Sequence, residues 1–154
     1  MTPQRMNRKD LVADFIKVVW SEGKVDECDR YLADRYTIHH DPGDPWDGKQ
    51  LDVAGFKERA RVSRAPFPDQ RFDIQAMFAD GDAVVATWLW SATHTGDYPG
   101  FPATQRPISM SGATVYYFDV QNRICGHWQI TDRLAIFRQL QQADRRSTRQ
   151  RDAR

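Results

Sequence analysis

Three strand-like runs in the C-terminal half carry groups that ionise or form hydrogen bonds. They are Ser91-Ala92-Thr93-His94-Thr95-Gly96-Asp97, Gly112 to Phe118, and Gly126-His127-Trp128-Gln129-Ile130-Thr131-Asp132. Asp132 is the sharpest of these residues. It closes an apolar strand, where a carboxyl group half removed from water has a raised pKa and exchanges protons near neutral pH. The chemistry this suggests is proton abstraction next to a carbonyl in a greasy substrate. Asp132 also directly precedes a predicted helix, and Asp is a favoured N-cap, so a purely structural role competes. His94 is the second catalytic candidate. His94, Tyr116 or a pocket water could serve as the donor that an enolate oxygen needs.

Alternation along strands sorts the remaining candidates by face. His127 and Trp128 point to opposite sides, and Asp132 shares parity with Trp128. Trp128 is therefore expected in the pocket wall, and His127 on the other face or at a dimer contact. His94 shares parity with Trp88 and Trp90. His40 is the member of the His39-His40 pair expected to reach the pocket mouth. Trp46, Phe56, Trp88, Trp90, Met110 and Tyr116 are further wall candidates, each of which could equally be plain core. His39, His40 and Asp41 are of metal-ligating types, but adjacent strand residues cannot both easily reach one ion and no second cluster has ligand spacing. No metal and no cofactor are expected.

These residues must be positioned by a single domain, since the chain has 154 residues. The 22 basic and 21 acidic residues leave a net charge of +1, so no global field favours a polyanion. The Arg-rich end lacks interleaved aromatics, and no nucleic-acid partner is expected. No apolar run approaches the ~18 residues needed to span a membrane. Met1 to Asp10 lacks the apolar stretch of a signal peptide, so a cytoplasmic location is expected. Cys28 and Cys125 are far apart and read as free thiols.

Helical spacing covers Leu11 to Trp20, capped by Asp10 or Asn7, then a short stretch from Val25 to Leu32, and again Leu51 to Ala65. A short strand, Tyr36 to His40, breaks at the turn cluster Asp41-Pro42-Gly43-Asp44-Pro45. At Phe72 the period switches to two, and strands follow over Phe72–Phe78, Val84–Thr93, Ile108–Val120 and Ile124–Thr131. Leu134, Ile136, Phe137 and Leu140 make a closing helix. Helices followed by consecutive antiparallel strands predict an α+β fold: a curved, cone-shaped antiparallel sheet wrapped on helices, enclosing an apolar pocket. The domain is read as residues 1–143, with 144–154 a flexible basic tail.

The order of these elements, with His39-His40-Asp41-Pro42-Gly43, Phe67-Pro68-Asp69, Thr93-His94-Thr95-Gly96 and Ile124…His127-Trp128…Asp132 at matching places, resembles the SnoaL-like polyketide cyclases of the nuclear transport factor two-like superfamily. The likeness runs from about Leu11 to Leu140. It implies a homodimer with a deep apolar pocket, intramolecular aldol ring closure without cofactor or metal, and an acid/base aspartate at Asp132. A non-catalytic small-molecule-binding protein of the same fold is the alternative. The chain departs from the family pattern at Ala92 and over Pro102-Ala103-Thr104-Gln105. Cousins that hydrolyse epoxides use an Asp–Arg–Asp set around a water, and none can be placed here from sequence. The expected dimer contact is the strand face around His127, Gln129 and Tyr117, because helices cover only one side of the sheet.

Overall fold

Helix α1 (Arg8–Phe15) starts where the Asn7 side chain accepts from the Asp10 N–H, one of the first-turn donors left without a helical partner. The helix then widens over Ile16–Ser21, where the Glu22 N–H reaches back five residues to Lys17. A turn of 3₁₀-helix, Val25–Arg30, leads into β1 (Leu32–His40). β1 begins four residues earlier than its alternation suggests. After β2 (Gln50–Leu51), α2 (Val53–Arg64) is capped by Asp52. Strands β3 (Arg71–Asp80), β4 (Ala83–Thr93), β5 (Pro107–Phe118) and β6 (Ile124–Thr131) follow, and α3 (Arg133–Asp152) closes the chain. The computed structural model describes residues 6–152, with side chains placed through residue 142. The backbone of α3 runs as helix to Asp152, past the predicted end near Leu140. The expected flexible tail, 144–154, falls on residues whose side chains, and at 153–154 the backbone too, lie outside the described set.

The six strands form one unclosed sheet in the order β2-β1-β6-β5-β4-β3. All pairs are antiparallel except β1 with β6, which is parallel and departs from the all-antiparallel expectation. Register shifts interrupt β3–β4 between Ile74 and Ala76 and β5–β6 between Tyr117 and Phe118. Such extra residues bend strands, and here they accompany the curl of the sheet around the helices. The fold is the expected α+β arrangement.

The concave face carries the alternate residues Val84, Ala86, Trp88 and Trp90 of β4, all buried. One core cluster joins this face to α1 and α2 through Val12, Phe15, Phe56 and Ala60. A second joins Phe67, Trp88 and Trp90 to Ile136 and Leu140 of α3. The two clusters meet around a hollow rather than filling it. On the convex face, by contrast, Leu89, Trp128 and Ile130 are 49%, 40% and 47% exposed. No helix among the described residues is long and apolar enough to cross a membrane. Burial pushes the Cys28 thiol up to about 11, and both cysteines are free.

Candidate functional site

The hollow is a cavity of about 450 Å³ between the concave sheet face, α2 and α3. Its walls are largely aromatic: Trp20, Trp46, Phe72, Trp88, Trp90 and Phe137 all line it. Set into this wall is a polar network whose centre is Asp41, a fully buried carboxylate at the end of β1.

Asp41 accepts four hydrogen bonds. Its Oδ2 takes His127 Nε2 at 3.0 Å, Arg59 Nη2 at 3.2 Å and Gln129 Nε2 at 3.2 Å. Its Oδ1 takes Arg133 Nη2 at 3.0 Å. Arg59 also reaches Asp44 Oδ2, with Nη2 at 2.9 Å and Nε at 3.3 Å, so one guanidinium bridges two carboxylates. The amide of Gln129 is oriented from behind. Trp88 Nε1 donates to Thr114 Oγ1, and Thr114 donates to Gln129 Oε1, which leaves the Gln129 NH₂ to face Asp41. Removed from water, a carboxylate is tolerated only when surrounded by donors in this way.

The protonation states follow from the partners. Burial alone would raise the Asp41 carboxyl, but the His127 hydrogen bond and the charges of Arg59 and Arg133 outweigh it and hold it below the usual carboxylate range. Burial lowers His127, with Arg59 adding to the effect, although Asp41 opposes it. An ionised carboxylate can only accept, so His127 Nε2 carries the hydrogen. The neutral ring then has a bare Nδ1, which sits 2.6 Å from the Tyr36 hydroxyl. Tyr36 must donate to it. The result is a directed chain, Tyr36 O–H to His127 Nδ1, and His127 Nε2–H to Asp41. Tyr36 and His127 both line the cavity.

Local sequence explains how these groups converge. On α2, Arg59 follows Phe56 by three residues and sits on the buried stripe, 4% exposed, with its guanidinium over Trp20 and Phe56. Arg133, in the first turn of α3, crosses to Pro42 O at 2.8 Å and to Asp41. It passes over Gly43, whose φ of +91° suits glycine and where a Cβ would lie 2.5 Å from Arg133 Cδ. The turn Asp41-Pro42-Gly43-Asp44-Pro45 is thus part of the site's scaffold as well as a chain reversal.

The sequence-predicted residues divide into two groups. Trp46, Trp88, Trp90, Met110 and Tyr116 line the cavity. Asp132 does not. Its Oδ1 accepts from the Ala135 N–H at 3.1 Å, capping α3, and its side chain borders a shallow groove on the convex face with Ser91, Ser109 and Ser111. Trp128 is on that face too, with His40 stacked on it at 4.7 Å and 13°. Neither lines the cavity. Phe56 is fully buried core against Phe15, Trp20 and Tyr36. His94 is fully buried outside the cavity, with Nδ1 3.0 Å from Thr104 Oγ1 and 3.3 Å from the Thr104 N–H, where it ties down the Pro-rich loop. His127 and Gln129 face inward, so they cannot form the dimer contact assigned to them, whereas Tyr117 sits on the outer face against His39. The parity of β6 is as read, but the two faces are exchanged. Asp41, Arg59 and Asp44 do form an ion-paired group of Asp–Arg–Asp composition, in which the side chains pair with one another. No cluster of three potential metal ligands occurs among the described residues.

The pH dependence has a definite sign. His127 has a folded pKa below its ordinary value near 6.5, so its neutral form contributes stability that is complete above that pH and is lost as pH falls toward the folded value. Asp41 behaves alike at lower pH, its contribution being complete above its ordinary 3.8 and lost below. Melting temperature is therefore expected to fall on going from pH 7 to pH 5. His127→Gln should remove part of that slope, and His94→Gln a further part, since burial lowers His94 as well. A slope unchanged by His127→Gln would refute the buried neutral assignment.

A family model described as SnoaL-like polyketide cyclase matches residues 10–140. A crystal structure from Acidithiobacillus ferrooxidans, provisionally assigned as a polyketide cyclase, is 60% identical, with a TM-score of 0.86 over 93% of this chain and 99% of that one. IdmH from Streptomyces antibioticus, also provisionally a polyketide cyclase, is 25% identical, with a TM-score of 0.73 over 88% and 99% of the two chains. AclR from Streptomyces galilaeus, a provisional hydroxylase at 17% identity, shares the fold with a TM-score of 0.73 over 86% of this chain and 83% of its own. No curated protein matches the chain at a significant level.

Proposed function

This chain belongs to the SnoaL-like polyketide cyclase family, and from that premise we propose a cofactor-free cyclase or isomerase that acts by acid–base chemistry on a hydrophobic, polyketide-like carbonyl compound. One observation carries the reading: a neutral His127 with a buried Asp41 behind it stands in the wall of an aromatic cavity. Imidazole is the side chain whose basicity suits proton exchange near neutral pH. A carboxylate on its far nitrogen fixes the tautomer and stabilises the imidazolium that forms when the ring takes a proton. Aromatic walls hold a flat substrate and exclude water. The guanidiniums of Arg59 and Arg133, both at the cavity, stand where enolate charge would develop. In the aldol closure typical of the family, the substrate loses a proton, the enolate carbon bonds to a second carbonyl, and the new alkoxide takes the proton back.

The test needs no natural substrate. 1-Phenylbutane-1,3-dione contains the 1,3-dicarbonyl unit of a polyketide and interconverts slowly between ketone and enol. The protein is expected to accelerate that interconversion and the exchange of the central C–H for deuterium, followed by ultraviolet absorbance and NMR. A diketone that binds without acceleration would instead support a non-catalytic binding protein. That second reading draws on one observation of its own, the full commitment of Asp41 and of both His127 nitrogens to protein partners.

The partner we propose is a second copy of the chain, seated on the convex face. Trp128 and Ile130 are exposed there, with Val115 and Val85 in register beside Trp128, and Leu89 is exposed on the same face two strands away. Light scattering at micromolar concentration is expected to give a dimer, and Trp128→Asp a monomer with the cavity intact. A monomeric wild type would refute this.

A further inference from the structure

We infer that Tyr36 is the group that meets the ligand, and that the Tyr36–His127–Asp41 chain makes the cavity select ligands that arrive with a hydroxyl to donate, such as an enol or a phenol, over those that can only accept. The inference rests on the reading of the cavity as a ligand site. It follows from counting protons. Asp41 accepts at both oxygens and has no hydrogen to give. His127 Nε2–H is spent on Asp41, and Nδ1 receives the Tyr36 proton. No ring nitrogen remains for a ligand. The Tyr36 proton is committed as well, so its oxygen offers a lone pair and no donor.

The ionisable groups that face this chain come from four elements and one turn. Asp41 lies at the end of β1, Asp44 in the turn beyond it, Arg59 on α2 and Arg133 on α3, and Tyr116 of β5 packs against the His127 ring at 6.5 Å. Asp41 and Asp44 favour an imidazolium, but burial, with Arg59, outweighs them, and the bonds to Asp41 and Tyr36 then orient the neutral ring so that the Tyr36 oxygen is left an acceptor. A ligand hydroxyl on the Tyr36 oxygen extends the chain by one link. Proton transfer along it is balanced. The ligand O–H breaks as a new Tyr36 O–H forms, and the old Tyr36 O–H breaks as His127 Nδ1–H forms. The enolate is left in the cavity and imidazolium faces Asp41. Reversal of both transfers returns the proton to the product. The substrate class is therefore an enolised 1,3-dicarbonyl or a phenol-bearing aromatic, engaged through its O–H.

Four tryptophans in the cavity wall report occupancy by quenching. Two probes of nearly equal size separate the claims: 2-naphthol, which can donate, and 2-methoxynaphthalene, which can only accept. Titrated at pH 7.5, the wild type is expected to prefer 2-naphthol. In Tyr36→Phe the ratio of the two affinities should fall by roughly two- to tenfold, the span of one net hydrogen bond. Using the ratio cancels any general loosening of the cavity. A ratio unchanged by Tyr36→Phe, with both probes still bound, overturns the role of Tyr36 and leaves the cavity reading standing. Failure of both probes to bind the wild type overturns the cavity reading and this inference together. The tautomer is checked without a variant by ¹⁵N NMR of the histidine ring. Nε2 protonated and Nδ1 bare supports the chain, and the opposite assignment overturns it.

Discussion

Asp41→Ala is expected to destabilise the protein by roughly 3–5 kcal/mol, the range for removing one partner from a buried ion pair. The argument is one of stranded donors. Without the carboxylate, His127 Nε2–H, the Gln129 amide and Arg133 Nη2 lose their acceptor. Arg59 keeps Asp44 but loses half of its bridge. His127 and Arg59 are almost wholly buried, so water cannot replace what they lose. Asp41→Asn should do little better, because it keeps one oxygen and brings an NH₂ into a ring of donors. The informative comparison is Asp132→Ala, where loss of the α3 cap is expected to cost about 0.5–2 kcal/mol. Urea denaturation at pH 7, with equal m-values, gives both numbers on one scale. Asp41→Ala unfolding no more easily than Asp132→Ala would remove the claim that Asp41 organises the site.

The contrast between these two aspartates also marks how far the sequence could be read. The switch to alternation at Phe72 located β3, and the paired turns located β4 to β6, because these patterns are local. Parity along β6 was also local, and it correctly groups Trp128, Ile130 and Asp132 on one face and His127, Gln129 and Thr131 on the other. Which face turns inward was not local. The usual rule puts the apolar set inside, and here the polar set is inside because Asp41, remote in sequence and itself held by Arg59, accepts its hydrogen bonds, with Tyr36 and Thr114 supplying the others. The apolar set is left on the convex surface, where a second copy could cover it. Tyr36 and Arg59 gave weak signals of the same kind, one a tyrosine among the histidines of a short strand, the other an arginine on the apolar stripe of α2. Neither is interpretable until β1, β6 and α2 are brought together. Asp132 illustrates the opposite limit. Its neighbourhood fits a strand-end acid and a helix cap equally well, and the inward turn of Thr131 leaves it only the cap.

His127→Gln is expected to remove the catalysed enolisation of 1-phenylbutane-1,3-dione, lowering the protein-dependent rate by ~10²–10⁴-fold, the usual contribution of a positioned acid–base group. Glutamine can fill much of the space and still hydrogen-bond to Asp41 or Tyr36, but it has no basic nitrogen to receive a proton. The pH profile carries the mechanism. Only neutral His127 accepts a proton, and burial places its pKa below the ordinary 6.5, so the wild-type rate should rise through the acid range and level off before neutrality. His127→Gln should lose that limb along with the rate, which separates a chemical role from a loosened cavity. Asp132→Asn is the control. Its side chain caps α3 outside the cavity, and Asn caps about as well as Asp, so rate and profile should both survive. Full activity in His127→Gln with activity lost in Asp132→Asn would return the chemistry to the strand-end aspartate and require α3 to unwind far enough to admit it.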